Sequence, residues 1–169
     1  MITVRCTQKL LRRLSVAPQP DAPPSESLLG DWYANLLHLG GEQLILCASE
    51  RTLLPVLVTA RDGLRFPERL RAGLREVLTA LHVEPDVIAR ELATMGEHTF
   101  AKTNNRRVLG SMNDLAWMLE CGRRDDAKPQ SLLYWSLELA KNPCSPLQMN
   151  SPDRAAVALL SGSAGGLLH

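Results

Sequence analysis

From Val108 onward the apolar residues Val108, Met112, Leu115 and Leu119 recur at spacings of four, three and four. Only an α-helix brings such positions onto one side, because each turn takes about 3.6 residues. The stripe therefore predicts a helix running to about Glu120, and it demands a second layer for that face to pack against. Asn104 or Asn105 stands where an N-cap is wanted, since a short amide side chain accepts from the first free backbone N–H groups. The first turn itself is unusual. Helix starts favour carboxylates because the exposed N–H groups carry partial positive charge, yet Arg106 and Arg107 stand there with Lys102 just upstream. Three cations at a positive helix end repel one another unless an anion joins them. That anion is either a carboxylate of the chain, for which Asp31 and Glu50 are the candidates, or an external phosphate or acidic ligand.

Before Pro67 the periodicity is different. Ile2, Val4 and Cys6 alternate with Thr3 and Arg5, as in a short strand. Thr7 can cap a helix carrying Leu10, Leu11 and Leu14, and residues 15–27, with Pro18, Pro20, Pro23 and Pro24, read as a loop or linker. Two β-prone runs, Asp31 to Leu39 and Glu42 to Ala48, flank Gly40-Gly41 and predict a hairpin. His38, inside the first run, reads as a packing histidine. Leu53 to Val58 reads as a third strand, which Pro55 places at a sheet edge.

The period then lengthens. Leu70, Leu74, Val77, Leu78 and Leu81 mark one helix from Pro67; Ile88, Leu92 and Met95 mark another, opened by Pro85 and ended by Gly96. His98 to Ala101 reads as a last strand, Gly122 to Lys128 as a loop, and Pro129 as the start of a buried helix that Asn142-Pro143 stops. Ser151-Pro152 should open a final helix to about Leu160, with the glycine-containing 161–169 as a flexible tail. The expectation is one α+β domain over 1–160: a small, largely antiparallel sheet packed by about four to six helices.

Composition narrows the function classes. A net charge of +1 gives no global case for a nucleic-acid or membrane binder. Four cysteines without a Cys-x-x-Cys pair and four scattered histidines give a zinc site no support, and no other cofactor is implied. Cys6 and Cys47 read as small buried hydrophobes, in keeping with a reducing, cytoplasmic compartment. No run approaches the ~18 apolar residues of a membrane span. A basic start without an apolar core is a poor signal peptide, an organelle transit peptide being the lesser alternative. Phosphate-binding glycine loops, a dinucleotide fingerprint and a Gly-x-Ser-x-Gly elbow are all missing. Gly110 and Ser111 fall inside the helix pattern, where the glycine suggests close packing and the serine has no base beside it.

The blocks LGDWYANLL (Leu29–Leu37), SERTLLPVLV (Ser49–Val58), AKTNNRRVLGSMND (Ala101–Asp114) and NPCSPL (Asn142–Leu147) together resemble a family of small bacterial proteins known only as a domain of unknown function. The opening RCTQKLLRRL (Arg5–Leu14) is similar to the family's usual start. The resemblance implies a bacterial single-domain protein and no established activity, so it supplies no catalytic residues. Where the family usually has Asn-Arg-Ser, this chain has Arg107 as the third residue, which leaves Arg106 as the better candidate.

Two functions follow as expectations. In the first, the chain is a binding or interaction module whose Lys102, Asn104, Arg106 and Arg107 grip an anion or nucleic-acid phosphate. Asp31, Glu50, Asn113 and Asp114 form the supporting polar cluster; the partner is nucleic acid, a phosphorylated ligand or a protein. In the second, it is a small enzyme acting on a phosphorylated or nucleotide-like substrate, with Asp31, Glu50 or His98 as acid or base. A deep shared pocket would favour the enzyme, and a flat basic surface joining Arg5, Arg12, Arg13 and Arg106 would favour nucleic acid.

Overall fold

A computed structural model describes residues 1–61 and 63–165 of the chain. Strand β1 (Ile2–Cys6) leads into helix α1 (Gln8–Leu14), capped by Thr7, whose hydroxyl accepts from the Leu10 N–H. The hairpin forms as expected, β2 (Trp32–Leu39) and β3 (Glu42–Ser49) meeting at Gly40 and Gly41, both with positive φ. Strand β4 (Pro55–Thr59) lies at a sheet edge, where a proline without an N–H is tolerated. Helices α2 (Phe66–Ala80) and α3 (Pro85–Ala93) then carry the chain across the sheet to β5 (His98–Lys102) at the opposite edge. Helices α4 (Arg106–Asp125), α5 (Leu132–Ala140) and α6 (Pro152–Gly165) complete the described chain.

The class is α+β, and the sheet is mixed. Its order is β4-β3-β2-β1-β5; β1 runs parallel to β2 and β5, whereas β2–β3 and β3–β4 are antiparallel. The expected α+β class thus stands, with two parallel pairings beside the two antiparallel ones as a detail the sequence did not show. Alternating residues reveal which face a strand buries, but not the direction of its neighbour.

Strand alternation divides the core in two. Ile2, Val4, Cys6, Trp32, Ala34, Ile45, Cys47 and Val56 face α1, α2, α3 and α6. Tyr33, Leu46, Ala48 and Leu57 face α4, whose Val108, Met112, Leu115 and Leu119 are all buried there. The stripe read from the sequence is thus the contact surface of α4. Helix α5 stands against the β4 edge, and the Ser136 hydroxyl accepts the outward N–H of Leu57 at 3.0 Å. A polar side chain satisfies an edge donor that would otherwise be open to pairing.

Several boundaries differ from the sequence expectations. Helix α4 continues through Arg123 and Arg124 to Asp125, where a loop was expected; the two basic residues suit the negative end of the helix. Helix α5 starts at Leu132 instead of Pro129, because the Ser131 hydroxyl accepts from Tyr134 N and sets the cap. Only part of it is deeply buried, Tyr134 being exposed. Helix α6 passes Leu160 and reaches Gly165; the remainder of the expected tail, 166–169, lies outside the described residues. A Cβ on Gly110 would meet nothing within 4 Å, so that glycine serves no close packing. Near approaches belong to Gly73 on α2, where a Cβ would come to 2.7 Å from Val56 Cγ1, and to Gly122 on α4, where it would come to 2.7 Å from Trp135 Cζ3.

Residues 16–28 form a loop, as the prolines suggest, and it is bonded to the sheet as a strap. Gln19 N donates to Phe100 O on the free edge of β5 at 2.8 Å. The Thr3 hydroxyl donates to Pro23 O, Thr3 N to Ser25 Oγ, and Glu26 N to Met1 O. The strap thereby rounds the β5 edge onto the α4 side of the sheet. Its far end is anchored by Glu91 of α3, a fully buried carboxylate that accepts from the Ser27 hydroxyl, Leu28 N and Leu29 N.

Candidate functional site

The turn between β5 and α4 is built on the row of residues beneath it. The parallel registers set Arg5 of β1 beside Tyr33 of β2 on one flank and Ala101 of β5 on the other. All three lie on the α4 face, but α4 covers β2 and β3, so the β1 end of that row is closed by polar groups. Arg5 Nε donates to Asp31 Oδ2 at 2.7 Å, and a second Arg5 nitrogen donates to Lys102 O at 3.0 Å. Asp31 also accepts from Ser25 N and Ser25 Oγ, at 3.0 and 2.8 Å. The carboxylate thus joins strap, β1 and β2.

Asn105 is the N-cap of α4, its side-chain oxygen accepting from Arg107 N at 3.0 Å and Val108 N at 3.3 Å. The neighbouring Asn104 is exposed and receives a hydrogen bond from the Tyr33 hydroxyl at 2.6 Å. Burial holds the Tyr33 pKa above its ordinary value; Glu50 and Asp31 add to the rise, while Arg5 and the Asn104 backbone oppose it. The phenol therefore remains a proton donor at neutral pH.

Lys102, Arg106 and Arg107 are exposed, and none of them has an ion-pair partner among the described residues. Of the two alternatives left open for Arg106, an ion pair with Asp31 or Glu50 is not found among the described residues. Asp31 is taken by Arg5, and Glu50 accepts from Asp31 N at 3.4 Å. Gly30, at φ +85°, lets the chain pass over this point: a Cβ there would meet Glu50 Oε2 at 3.3 Å and Arg51 Cγ at 3.1 Å.

The other expected members lie elsewhere. Asn113 and Asp114 are exposed on α4 beyond the turn, and the charge of Asp114 bears on Cys144, whose thiol is raised chiefly by burial and then by that charge. His98 stands at the opposite end of β5 from Lys102, edge-on to Phe100. His38, expected as a packing residue, is exposed beside the hairpin and bonded to Gln43 Nε2 at 3.0 Å. Arg13 reaches Gln43 and Ala60 O from α1, on the other side of the sheet. Among the described residues, no flat basic surface joins it to Arg106.

What the geometry does bring together is a cavity of about 310 Å³, with Arg5, Lys102, Thr103 and Asn104 on one side and the strap residues Pro18, Gln19 and Pro20 on the other. The strap's part in it was missed, because a proline-rich stretch reads as a connector and nothing local announces that it returns to the β5 edge. Tyr33 was visible beside Asp31, and strand alternation already put the two on one face. Its reach to Asn104 depends on the parallel register of β1 and β5.

A family model described as a domain of unknown function, DUF6933, matches residues 3–155. The chain belongs to that family. No curated protein and no solved structure matches it. The family's match runs from within β1 to the first turn of α6, so the strap, the Arg5–Asp31 pair and the turn all fall inside it. Among the described residues no helix is long and apolar enough to cross a membrane.

Proposed function

We propose that this chain is a binding module whose Lys102–Arg107 turn takes an anion, such as a phosphorylated ligand or the phosphate of a nucleic acid, through Lys102, Asn104, Arg106 and Arg107. One observation carries the reading: three cations gather at the N-terminal end of a 20-residue helix with no ion-paired carboxylate among the described residues. The backbone there already favours negative charge, and the side chains add to it. An anion would relieve their mutual repulsion. Binding is favoured over turnover because two of the three groups considered as acid or base are poorly disposed: His98 is at the far end of β5, and Asp31 is committed to Arg5. The four free cysteines, two of them in core strands, fit a cytoplasmic setting.

Thermal melts of wild type and Arg106→Ala, each with and without phosphate or a short oligonucleotide, test the proposal. Arg106→Ala should fold with a melting temperature at or slightly above that of wild type and lose most of the ligand-induced rise. If neither protein responds to either ligand, the anion-binding reading is wrong.

A further inference from the structure

The cavity beside the turn presents donors. Tyr33, fully buried, gives its hydroxyl proton to Asn104 Oδ1 at 2.6 Å. With that oxygen engaged, the Asn104 amide offers its two N–H donors outward. Lys102, whose ammonium carries three donors, also lines the cavity. Arg5, fastened to Asp31 and to the Lys102 carbonyl, presents what remains of its guanidinium fork. No carboxylate lines the cavity among the described residues. Opposite these groups stand the rings of Pro18 and Pro20, rigid apolar walls with no hydrogen to donate.

We infer that the ligand is a small organic phosphomonoester, its phosphoryl group on Lys102, Asn104 and Arg5 and its carbon part against Pro18 and Pro20, with Tyr33 as the positioning residue that aims Asn104. This rests on the anion-site reading and narrows it to a ligand class. Charge selects the class. Lys102 in the lining has no ion-pair partner among the described residues, and Arg106 and Arg107 follow it at the start of α4, which suits a group carrying about −1.5 to −2 at neutral pH better than a carboxylate. Size agrees: about 310 Å³ is at the small end of ligand pockets, which run from roughly 300 to 1,000 Å³. A polymer would need an open track, whereas here the strap closes one side.

The full-length protein would be titrated calorimetrically with inorganic phosphate, ribose 5-phosphate and a short oligothymidylate, for wild type, Tyr33→Phe, Asn104→Ala and the double variant. Ribose 5-phosphate should bind more tightly than inorganic phosphate. Tyr33→Phe and Asn104→Ala should each weaken it by roughly threefold to tenfold, the worth of one oriented hydrogen bond. The double variant should lose no more than either single one, a coupling that a merely structural role for Tyr33 would not produce. Asn104 is exposed, so Asn104→Ala keeps the test open even if Tyr33→Phe is unstable. Equal affinity for the two phosphates, or additive losses, would overturn this inference and leave the anion site standing, as would binding of the oligonucleotide alone. Failure of all three ligands would remove the anion site itself.

Discussion

Asp31→Ala is the substitution with the largest worked consequence. The carboxylate is 8% exposed and its partner Arg5 15%, so the pair is nearly dry. Removing it strands a guanidinium beneath the turn and takes the acceptor from both Ser25 N and Ser25 Oγ. Breaking a buried pair from one side costs about 3–5 kcal/mol. Arg5 keeps the Lys102 carbonyl and some water, so the lower end applies, about 3 kcal/mol. In a chain of this size each kcal/mol moves the midpoint by roughly 2–4 °C, which gives a fall of about 6–12 °C. Circular-dichroism melts measure it, and limited proteolysis with a broad-specificity protease should newly cut between Val16 and Leu28. Replacing both partners, as Arg5→Met with Asp31→Leu, should cost less than Asp31→Ala, since no charge is then left unpaired. An Asp31→Ala protein melting within about 2 °C of wild type, its strap still resistant, would refute the reasoning.

Three further outcomes follow from the packing. Met112→Asp should destabilise by several kcal/mol, since it sets an unpaired charge in the core under α4; near-native urea stability would overturn that packing. Gly73→Ala should destabilise by about 1 kcal/mol net, because the clash with Val56 outweighs the helix preference for alanine, whereas Gly110→Ala should stabilise by up to about 1 kcal/mol. Paired denaturation curves check the opposite signs, and two stabilising substitutions would refute the close approach of α2. Burial pushes the Cys6 thiol up to about 12 and raises Cys47 as well, so the folded chain keeps protons that the unfolded chain releases. That contribution is whole below about pH 8 and is lost as pH rises from there toward 12; melting temperatures that stay level from pH 8 to about 10.5 would contradict it.

The sequence by itself determined what is local. The four-three-four spacing of Val108, Met112, Leu115 and Leu119 identified the helix and its buried face, because helical periodicity depends on one turn at a time. Gly40-Gly41 determined the hairpin for a similar reason, supplying the positive φ that a tight reversal needs. Pro55 indicated an edge through the hydrogen it lacks. The gathering of Lys102, Arg106 and Arg107 at a helix start was also readable, being a matter of adjacent positions.

Only the tertiary structure decided who partners whom. Asp31 was a plausible mate for Arg106, but the parallel pairing of β1 with β2 places Arg5 beside it, and the half-buried Arg5 guanidinium at 2.7 Å takes the carboxylate while Arg106 stays exposed. Parallel neighbours are joined by long crossovers, so their register is absent from any short window. The strap follows the same logic: Pro18 and Pro20 mark a break in secondary structure, and only the free edge of β5 explains why the break wraps back to wall a cavity. Local patterns specify elements because their interactions span a few residues, whereas the site is assembled from pairs as distant as Tyr33 and Asn104, whose meeting depends on how the whole sheet is ordered.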